Sequence, residues 1–270
     1  MMSENYRTFF GFTKEPFTAE LALGDILETF AVKEVKNRFD YIVRLGAIGL
    51  VTGEIGSGKS TALRHAAGSL HPSEYQSFYV TASSGSILEL YRQILNVLGI
   101  GKSSTSRAIL TTLIKQEITE LVEGKKLKVV LIIDEASLLR LEVFAELHTI
   151  CQFERDSKQY LPIILAGQSN LVDKLMYRAS APLASRIIAR SHLEGLDRKG
   201  MQEYLDHHLS LSGIKNKLFE EAAVTAIHQG SGGLLRKANH LARGALIAAA
   251  GEQSMQVNAD HVRLASTEIF

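Results

Sequence analysis

The chain has 270 residues, of which 46% are hydrophobic and 22% charged, and its 30 lysine and arginine residues against 29 aspartate and glutamate residues give a formal net charge of +1. This composition supplies enough apolar side chains for one large or two small domains, and it excludes a disordered chain. A charge close to zero also excludes a histone-like electrostatic binder and a solvating acidic tail, while a local basic face stays open.

Three further features concern the compartment. The single cysteine, Cys151, permits no intramolecular disulfide, which fits a reducing environment. No apolar run reaches the length of about 18 residues that a membrane helix needs. Residues 1–12 lack the basic and apolar regions of a secretory signal. We therefore expect a cytoplasmic protein with no membrane span.

Apolar runs that end in glycine or polar residues alternate with helical stretches up to Leu193. Runs that are apolar on both faces are typical of buried strands, and helical crossovers join parallel strands. The alternation therefore predicts an α/β fold, with a mostly parallel sheet flanked by helices. The predicted strands are Ala47–Thr52, Ser77–Thr81, Lys128–Ile133, Leu161–Ala166 and Ile187–Leu193.

Strand signals stop after Leu193, and helical patterns follow it. Asn258 is predicted as the N-cap of the last helix, because its side chain can accept hydrogen bonds from the first free backbone N–H groups. The change near Glu194-Gly195 predicts a boundary between an α/β domain and a small all-helical domain. The predicted helices are Arg198–Leu211, Glu220–His228, Leu235–Ala250 and Ala259–Ile269.

The first strand leads directly into a match to the pattern G-x-x-x-x-G-K-[ST]. Such a loop wraps its backbone N–H groups around phosphates, and the helix that follows adds the partial positive charge of its N-terminus. Lys59 would reach the β- and γ-phosphates, and the Ser60 hydroxyl would ligate Mg²⁺. The predicted nucleotide-binding residues are Gly53, Glu54, Ile55, Gly56, Ser57, Gly58, Lys59, Ser60 and Thr61.

A second motif lies downstream, where a buried apolar strand ends in Asp134 and Glu135. Asp134 would hold Mg²⁺ directly or through water, and Glu135 would orient or deprotonate the attacking water. Two acids can also mark a solvated strand end, but the upstream P-loop favours the catalytic interpretation. The chain lacks the guanine-reading pattern [NT]-K-x-D, which favours ATP over GTP.

Three further residues are candidates for the γ-phosphate, since phosphoryl transfer depends on positioning and charge stabilisation. Gln168 comes directly after the fourth strand. Arg186 lies in the segment Lys174–Leu193, which has four basic and no acidic residues, and it would act from a neighbouring subunit. Arg236 lies in the helical region and would report the nucleotide state there. Each could instead be an ordinary surface or salt-bridging residue.

Six segments carry a resemblance to a known family: YRTFFGFTKEPF, GEIGSGKST, VVLIIDEAS, LPIILAGQSNL, LASRI and QGSGGLLRKANHLARGALIAA. In this order they resemble the AAA+ ATPases of the ExeA/GspA-like group, which are similar to the transposon-encoded ATPases of the TniB, IstB, TnsC and MuB type. The aromatic leader and the GGLLRKAN element narrow the resemblance to this group.

The resemblance implies a P-loop AAA+ fold whose parallel sheet is followed by a small helical lid. Residues 1–45 would form a leader and a helix packing on the core, 46–193 the nucleotide-binding α/β core, and 194–270 the lid. The adenine would pack near Phe12 and Phe17, although aromatic side chains there are equally typical of a hydrophobic core.

The resemblance also implies roles for the candidate residues, with ATP and Mg²⁺ as ligands. The implied roles are Walker A at Gly53–Ser60, Walker B at Asp134 and Glu135, sensor 1 at Gln168 (with Ser169 or Asn170 as alternatives), an arginine finger at Arg186 with Arg178 in reserve, and sensor 2 at Arg236.

Secretion-pathway members of the group usually continue into a membrane segment and a peptidoglycan-binding part, which this sequence lacks. The resemblance therefore favours a transposition regulator. In such proteins an ATP-bound homo-oligomer forms a ring or filament on non-specific duplex DNA and recruits a transposase. A GspA/ExeA-type secretion or envelope-assembly ATPase and a helicase-loader-like ATPase are the alternatives.

A candidate DNA contact lies between residues 102 and 128, where six basic residues stand against three acidic ones. Lys102 and Arg107 flank small hydroxyl residues, and both residue types contact phosphate oxygens. Weak contacts from each subunit would suffice if many subunits lined one duplex. A solvated loop is the alternative interpretation.

Overall fold

The computed structural model describes residues 3–101 and 104–267, which form two compact units. The α/β unit comprises Phe30–Gly53 and Lys59–Leu193, and the helical unit comprises the chain up to Thr29, Glu54–Gly58 and the chain from Glu194 onwards. In chain order the helices and strands are α1 (Ser3–Phe10), α2 (Phe30–Leu45), β1 (Ile48–Gly53), α3 (Lys59–Gly68), β2 (Tyr75–Thr81), α4 (Ile87–Val97), α5 (Arg107–Thr119), β3 (Lys128–Asp134), α6 (Leu141–Leu147), β4 (Ile163–Gly167), α7 (Asn170–Met176), α8 (Ala181–Ala184), β5 (Ile187–Leu193), α9 (Arg198–Leu211), α10 (Glu221–Ser231), α11 (Leu235–Gly251) and α12 (Ala259–Thr267).

Within the described residues the sheet has five parallel strands in the order β2-β3-β4-β1-β5. The predicted α/β fold class is confirmed, and the strands begin and end close to the predicted residues. Since all strands run in one direction, the loops that follow β1, β3 and β4 leave the sheet at one edge. At this carboxyl edge the P-loop follows β1, Asp134 and Glu135 come at the end of β3, and Gln168 follows β4.

Apolar side chains of the central strands alternate between two cores, one on each face of the sheet. In β3, Leu131 and Ile133 pack with α4, α5 and α6, whereas Val130 and Ile132 pack with α2 and α3. Strands buried on both faces explain why these runs are apolar throughout. A Cβ at Gly49 of β1 would overlap with the Ile42 side chain, so only glycine allows α2 to pack so closely on the sheet.

The helical unit is built from α9 to α12 together with the N-terminal leader. Asp197 caps α9, its Oδ1 accepting from the Gly200 N–H at 2.7 Å. The predicted N-cap of α12 is also present, since Asn258 Oδ1 accepts from the N–H groups of Asp260 and His261 at 3.0 and 3.1 Å. Each cap satisfies backbone donors that the first helical turn leaves without partners.

The aromatic leader contributes side chains to the core of the helical unit. Tyr6, Phe10, Phe12 and Phe17 are all buried there, beside apolar residues of α9 to α12. The structure thus groups the leader with the helical unit, whereas the sequence-based division placed it on the α/β core; of residues 1–45, the part from Phe30 onwards lies in the α/β unit. Phe12 and Phe17 are core side chains, which removes them as surfaces for an adenine.

Polar contacts hold the leader in place beside this core. Phe17 adopts a left-handed conformation with φ of 55°, and its carbonyl accepts from Arg243 Nη2 at 2.7 Å. Its ring stacks on the buried His208 ring, with 5.3 Å between centroids. Upstream, the Thr13 N–H and hydroxyl both donate to the Ser212 carbonyl at the end of α9. The leader is therefore an integral part of the helical unit.

The longest of the described helices, α11, has 17 residues. It carries the charged residues Arg236, Lys237 and Arg243. No helix in the described residues combines the length and the apolar character that a membrane crossing requires.

Burial, and to a smaller extent the neighbouring His207, lower the pKa of His208 to about 4. An exposed histidine in the unfolded chain titrates near 6.5. Between these values the unfolded chain binds a proton that the folded helical unit does not, so the free energy of unfolding falls as the pH is lowered. We expect this to cost about 2 kcal/mol between pH 7 and pH 5.

His208→Leu should lose this part of the pH dependence, because leucine cannot be protonated. Urea denaturation at pH 7 and pH 5 measures the effect, with His240→Leu, an exposed histidine of α11, as the matched control. If the free energy of unfolding falls equally between pH 7 and pH 5 in His208→Leu and in the unsubstituted chain, His208 is not the source of this pH dependence.

Candidate nucleotide site

The P-loop connects β1 to α3 and has the backbone geometry that its glycines permit. Gly56 and Gly58 have φ values of 84° and 96°, in the left-handed region that side chains disfavour. Lys59 begins α3, is buried, and donates from Nζ to the Gly53 carbonyl at 2.9 Å. The hydroxyl of Ser57 is buried and has no hydrogen-bond partner among the described residues. The loop thus offers the donors of a phosphate cradle.

Residues of the loop lie against the beginning of α11. The Arg236 N–H donates to the Gly56 carbonyl at 3.2 Å. A Cβ on Gly56 would come within 2.8 Å of the Arg236 Cβ, so the close approach depends on glycine. The predicted sensor-2 residue is therefore next to the phosphate-binding loop within the helical unit, and its side chain is exposed.

The P-loop helix and the second motif meet through Asp134, the last residue of β3. Ser60 Oγ donates to Asp134 Oδ2 at 2.7 Å. The Tyr79 hydroxyl donates to the same oxygen, and the Glu135 N–H donates to Oδ1 at 2.8 Å. Asp134 is only 5% exposed. Its hydrogen bonds offset the free energy that the burial of a charged group would otherwise cost.

The two predicted Mg²⁺ ligands fit that ion. A hydroxyl and a carboxylate are oxygen donors, which Mg²⁺ prefers, and a Mg²⁺ ion in such sites takes few protein ligands besides water and phosphate oxygens. The Ser60 and Asp134 oxygens are already within 2.7 Å of each other. The donor chemistry of Ser60 and Asp134 and their proximity therefore fit a Mg²⁺ site.

Glu135 follows Asp134 in a left-handed conformation, with φ of 52° and ψ of 30°. A non-glycine residue there carries strain of about 1 kcal/mol, which persists when the surrounding structure holds it. Gln168 comes directly after β4, which lies between β1 and β3 in the sheet. A Cβ on Gly167 would lie 2.8 Å from the Ser137 N–H nitrogen, so β4 and the turn after β3 are in close contact.

Tyr79 was not found by sequence reasoning. It lies on β2 and reaches Asp134 because β2 and β3 are neighbours, with Thr81 paired to Asp134. Burial and the hydrogen bond to Asp134 raise the pKa of Tyr79, so the phenol stays a donor at neutral pH. A tyrosine in a strand carries no sequence signal for such a role until the strand order is known.

Arg186 lies at the amino ends of the strands, which we call the amino edge, opposite the carboxyl edge that carries the P-loop. It directly precedes β5, whose first residue pairs with Ile48 at the beginning of β1. A strand of this length spans about 20 Å, so Arg186 cannot reach the carboxyl edge of its own sheet. Any role at a γ-phosphate is consequently restricted to a neighbouring subunit.

Arg186 is also engaged in an ion pair. Its Nη2 lies 2.6 Å from Asp156 Oδ2, and this hydrogen bond raises the pKa of Arg186 and lowers that of Asp156. Asp156 belongs to the turn Glu154–Asp156, whose residues all have positive φ values of 44° to 69°. Arg178, the reserve candidate, is exposed in the short turn Arg178–Ser180.

Of the two candidate DNA contacts, the structure describes Arg107 alone. Lys102 lies outside the described residues. Arg107 begins α5 and is exposed, and its guanidinium is paired with the carboxylate of Glu146. Its charge is therefore partly neutralised within the chain.

Residues 43–175 match the model of a family described as AAA domain. The chain is 28% identical over 267 residues to general secretion pathway protein A of Aeromonas hydrophila. The aligned region covers 98% of this chain and 48% of that protein. The chain therefore spans about half the length of the curated relative it matches.

Solved structures resemble the whole chain. An Aeropyrum pernix ORC2 protein in ADPNP-ADP complexes has a TM-score of 0.68 at 16% identity, covering 97% of this chain and 71% of that one. An Aeropyrum pernix ORC1 protein in complex with DNA has a TM-score of 0.67 at 16% identity, covering 92% and 67%.

The sheet order, the P-loop and these likenesses define the class: the chain has the P-loop fold of AAA+ proteins, with a helical region after the sheet.

Lys59→Ala should weaken ATP binding more than tenfold, or by more than about 1.4 kcal/mol, because it removes the ammonium group from the phosphate cradle. Titration with a fluorescent ATP analogue measures the affinity. Lys199→Ala, a change at an exposed lysine of α9, is the matched control. Unchanged affinity in a folded Lys59→Ala protein would refute the P-loop assignment.

Proposed function

We propose that this chain binds ATP with Mg²⁺ and hydrolyses the bond to the γ-phosphate. The observation that carries the proposal is the hydrogen bond between Ser60 and Asp134, because it brings the P-loop helix and the acidic strand end into one site. Glu135 follows directly, at the edge of the sheet where the P-loop also emerges. The missing guanine-reading pattern favours ATP over GTP.

Each residue has a defined part in this scheme. The P-loop N–H groups and Lys59 bind the phosphates, while Ser60 and Asp134 hold Mg²⁺, which would neutralise charge on the β- and γ-phosphate oxygens. Glu135 accepts a hydrogen bond from the attacking water and takes its proton. Gln168 contacts the γ-phosphate as sensor 1, and Arg236 beside Gly56 acts as sensor 2.

The position of Arg186 supports a homo-oligomer, as a ring or a filament. An arginine at the amino edge of the sheet is about 20 Å from its own carboxyl edge, so it can serve as a finger only for a neighbouring subunit. Its ion pair with Asp156 holds the guanidinium in one orientation before assembly.

For the partner, we propose non-specific duplex DNA, with recruitment of a transposase as the finer role. Support comes from the fold likeness to a protein solved in complex with DNA and from the basic segment that contains Lys102 and Arg107. A repeated weak contact is sufficient when subunits line one duplex.

The second candidate is a secretion or envelope-assembly ATPase that acts on protein partners. The specific observation in its favour is the identity of 28% to general secretion pathway protein A over nearly the whole chain. The pairing of Arg107 with Glu146 also favours it, because a neutralised arginine contributes less to phosphate binding. A helicase-loader-like ATPase is a variant of this candidate, in which the nucleotide gates a protein contact.

Glu135→Gln should bind ATP with unchanged affinity and hydrolyse it roughly a hundredfold more slowly, because the amide cannot accept the proton of the attacking water. The N–H contact to Asp134 stays, since it belongs to the backbone. Phosphate release and size-exclusion chromatography with ATP measure turnover and trapped assemblies. Glu142→Gln, an exposed acid of α6, is the control, and hydrolysis at the unsubstituted rate would remove Glu135 from catalysis.

ATP should enable the protein to shift a random-sequence duplex in a gel, with an affinity that falls steeply as salt is raised. Arg107→Ala should weaken the shift and reduce the salt dependence, whereas Glu146→Gln should strengthen it, because it releases Arg107 from its ion pair.

The control for the DNA experiment is Arg263→Ala, which removes an exposed arginine paired with Asp260 in the helical unit. Absence of any shift at low salt with ATP and micromolar protein would exclude the DNA proposal and leave the protein-partner candidate.

A further inference from the structure

The strained turn that carries Glu135 is held from outside by a lysine. The turn continues through a short helical segment, Ala136–Leu138. Inside it, the Leu138 N–H donates to the Glu135 carbonyl at 2.8 Å and the Leu139 N–H donates to the Ala136 carbonyl at 3.1 Å. These local bonds shape the turn, but they leave the carbonyls of Ser137 and Leu139 free to accept.

Lys174 of α7 binds those two carbonyls. Its Nζ donates to Ser137 O at 2.6 Å and to Leu139 O at 2.8 Å. The side chain is half-buried, so the ammonium group is partly withdrawn from water and its hydrogen bonds are stronger than they would be in solvent. The buried Ser180 hydroxyl donates to the Lys174 carbonyl at 2.8 Å, which fixes the backbone from which the lysine extends.

The Lys174 contact connects the turn after β3, which carries Glu135, to the helix after β4, which follows Gln168. Helix α7 begins two residues after Gln168, and the turn begins with Glu135. At Gly167 the end of β4 approaches Ser137 so closely that no side chain fits between them. Lys174 and Gly167 therefore dock the Glu135 turn onto the same strand-helix unit that presents Gln168.

We propose that Lys174 is a positioning residue for hydrolysis: it holds the turn after β3 so that the Glu135 carboxylate stays where the attacking water must be oriented. It also makes the turn and α7 move as one body, so that a shift of Gln168 against a γ-phosphate is transmitted to Glu135. This proposal rests on the proposed ATPase function. It assigns Lys174 a role inside its own subunit, whereas Arg186 of the same basic segment was predicted to act on a neighbouring one.

The first test measures the turn itself and does not require activity. Lys174→Met removes the ammonium group and keeps a long unbranched side chain. Hydrogen exchange at the Leu138 and Leu139 amides should become at least about tenfold faster, because their turn loses its outer support. The amides of β3 should keep their protection, and Lys174→Arg, which can still donate to two carbonyls, should stay close to the unsubstituted chain.

The second test separates positioning from binding. In Lys174→Met, kcat for ATP hydrolysis should fall at least about tenfold while the affinity for a fluorescent ATP analogue stays within about twofold. Lys174→Arg should restore most of the rate. Lys158→Met, a change at an exposed lysine that binds Glu123, is the matched control. Adding Lys174→Met to Glu135→Gln should slow hydrolysis no further, since the lysine acts through that carboxylate.

Unchanged exchange at Leu138 and Leu139 would overturn the proposal whatever the rate. An unchanged kcat in Lys174→Met, beside an active unsubstituted protein, would also overturn it. If the unsubstituted protein binds ATP and never hydrolyses it, the proposed ATPase function fails, and the exchange experiment still decides whether Lys174 holds the turn.

Discussion

The candidate site depends on the hydrogen bonds that the Asp134 carboxylate accepts. This carboxylate accepts hydrogen bonds from the P-loop helix through Ser60, from β2 through Tyr79 and from its own chain through the Glu135 N–H. A buried carboxylate without such donors would be unfavourable in free energy. Three separate elements are thereby brought to one point at the carboxyl edge of the sheet, and the positions of Lys59 and Glu135 follow from it.

The parallel sheet, the P-loop and the acidic strand end could all be predicted from the sequence, because each depends on local patterns. Strands buried on both faces are apolar throughout, and a phosphate loop needs glycines before Lys59. The contributions of Tyr79 and Lys174 could not be predicted, since they depend on strand order and on which helix packs beside the turn. The place of the leader was missed for the same reason: the aromatic residues Tyr6–Phe17 indicate burial without saying in which core.

The candidate catalytic residues lie at the two opposite ends of the strands of the sheet. The carboxyl edge brings together Ser60, Asp134 and Glu135, whereas Arg186 precedes β5 at the amino edge and is held by Asp156. A parallel sheet makes this separation unavoidable, because the two ends of a strand are about 20 Å apart. If an arginine is needed for catalysis, hydrolysis and assembly become one process, and nucleotide turnover depends on protein concentration.

The lone cysteine gives the molecule a chemical reporter of its own. Cys151 is packed in the core of the α/β unit, and burial raises the pKa of its thiol to about 12. A disulfide reagent reacts with thiolate, so at neutral pH it modifies only molecules whose α/β unit has opened. The helical unit has no cysteine in its sequence. The labelling rate, compared with the total unfolding rate, therefore tells whether the two units open together or one after the other.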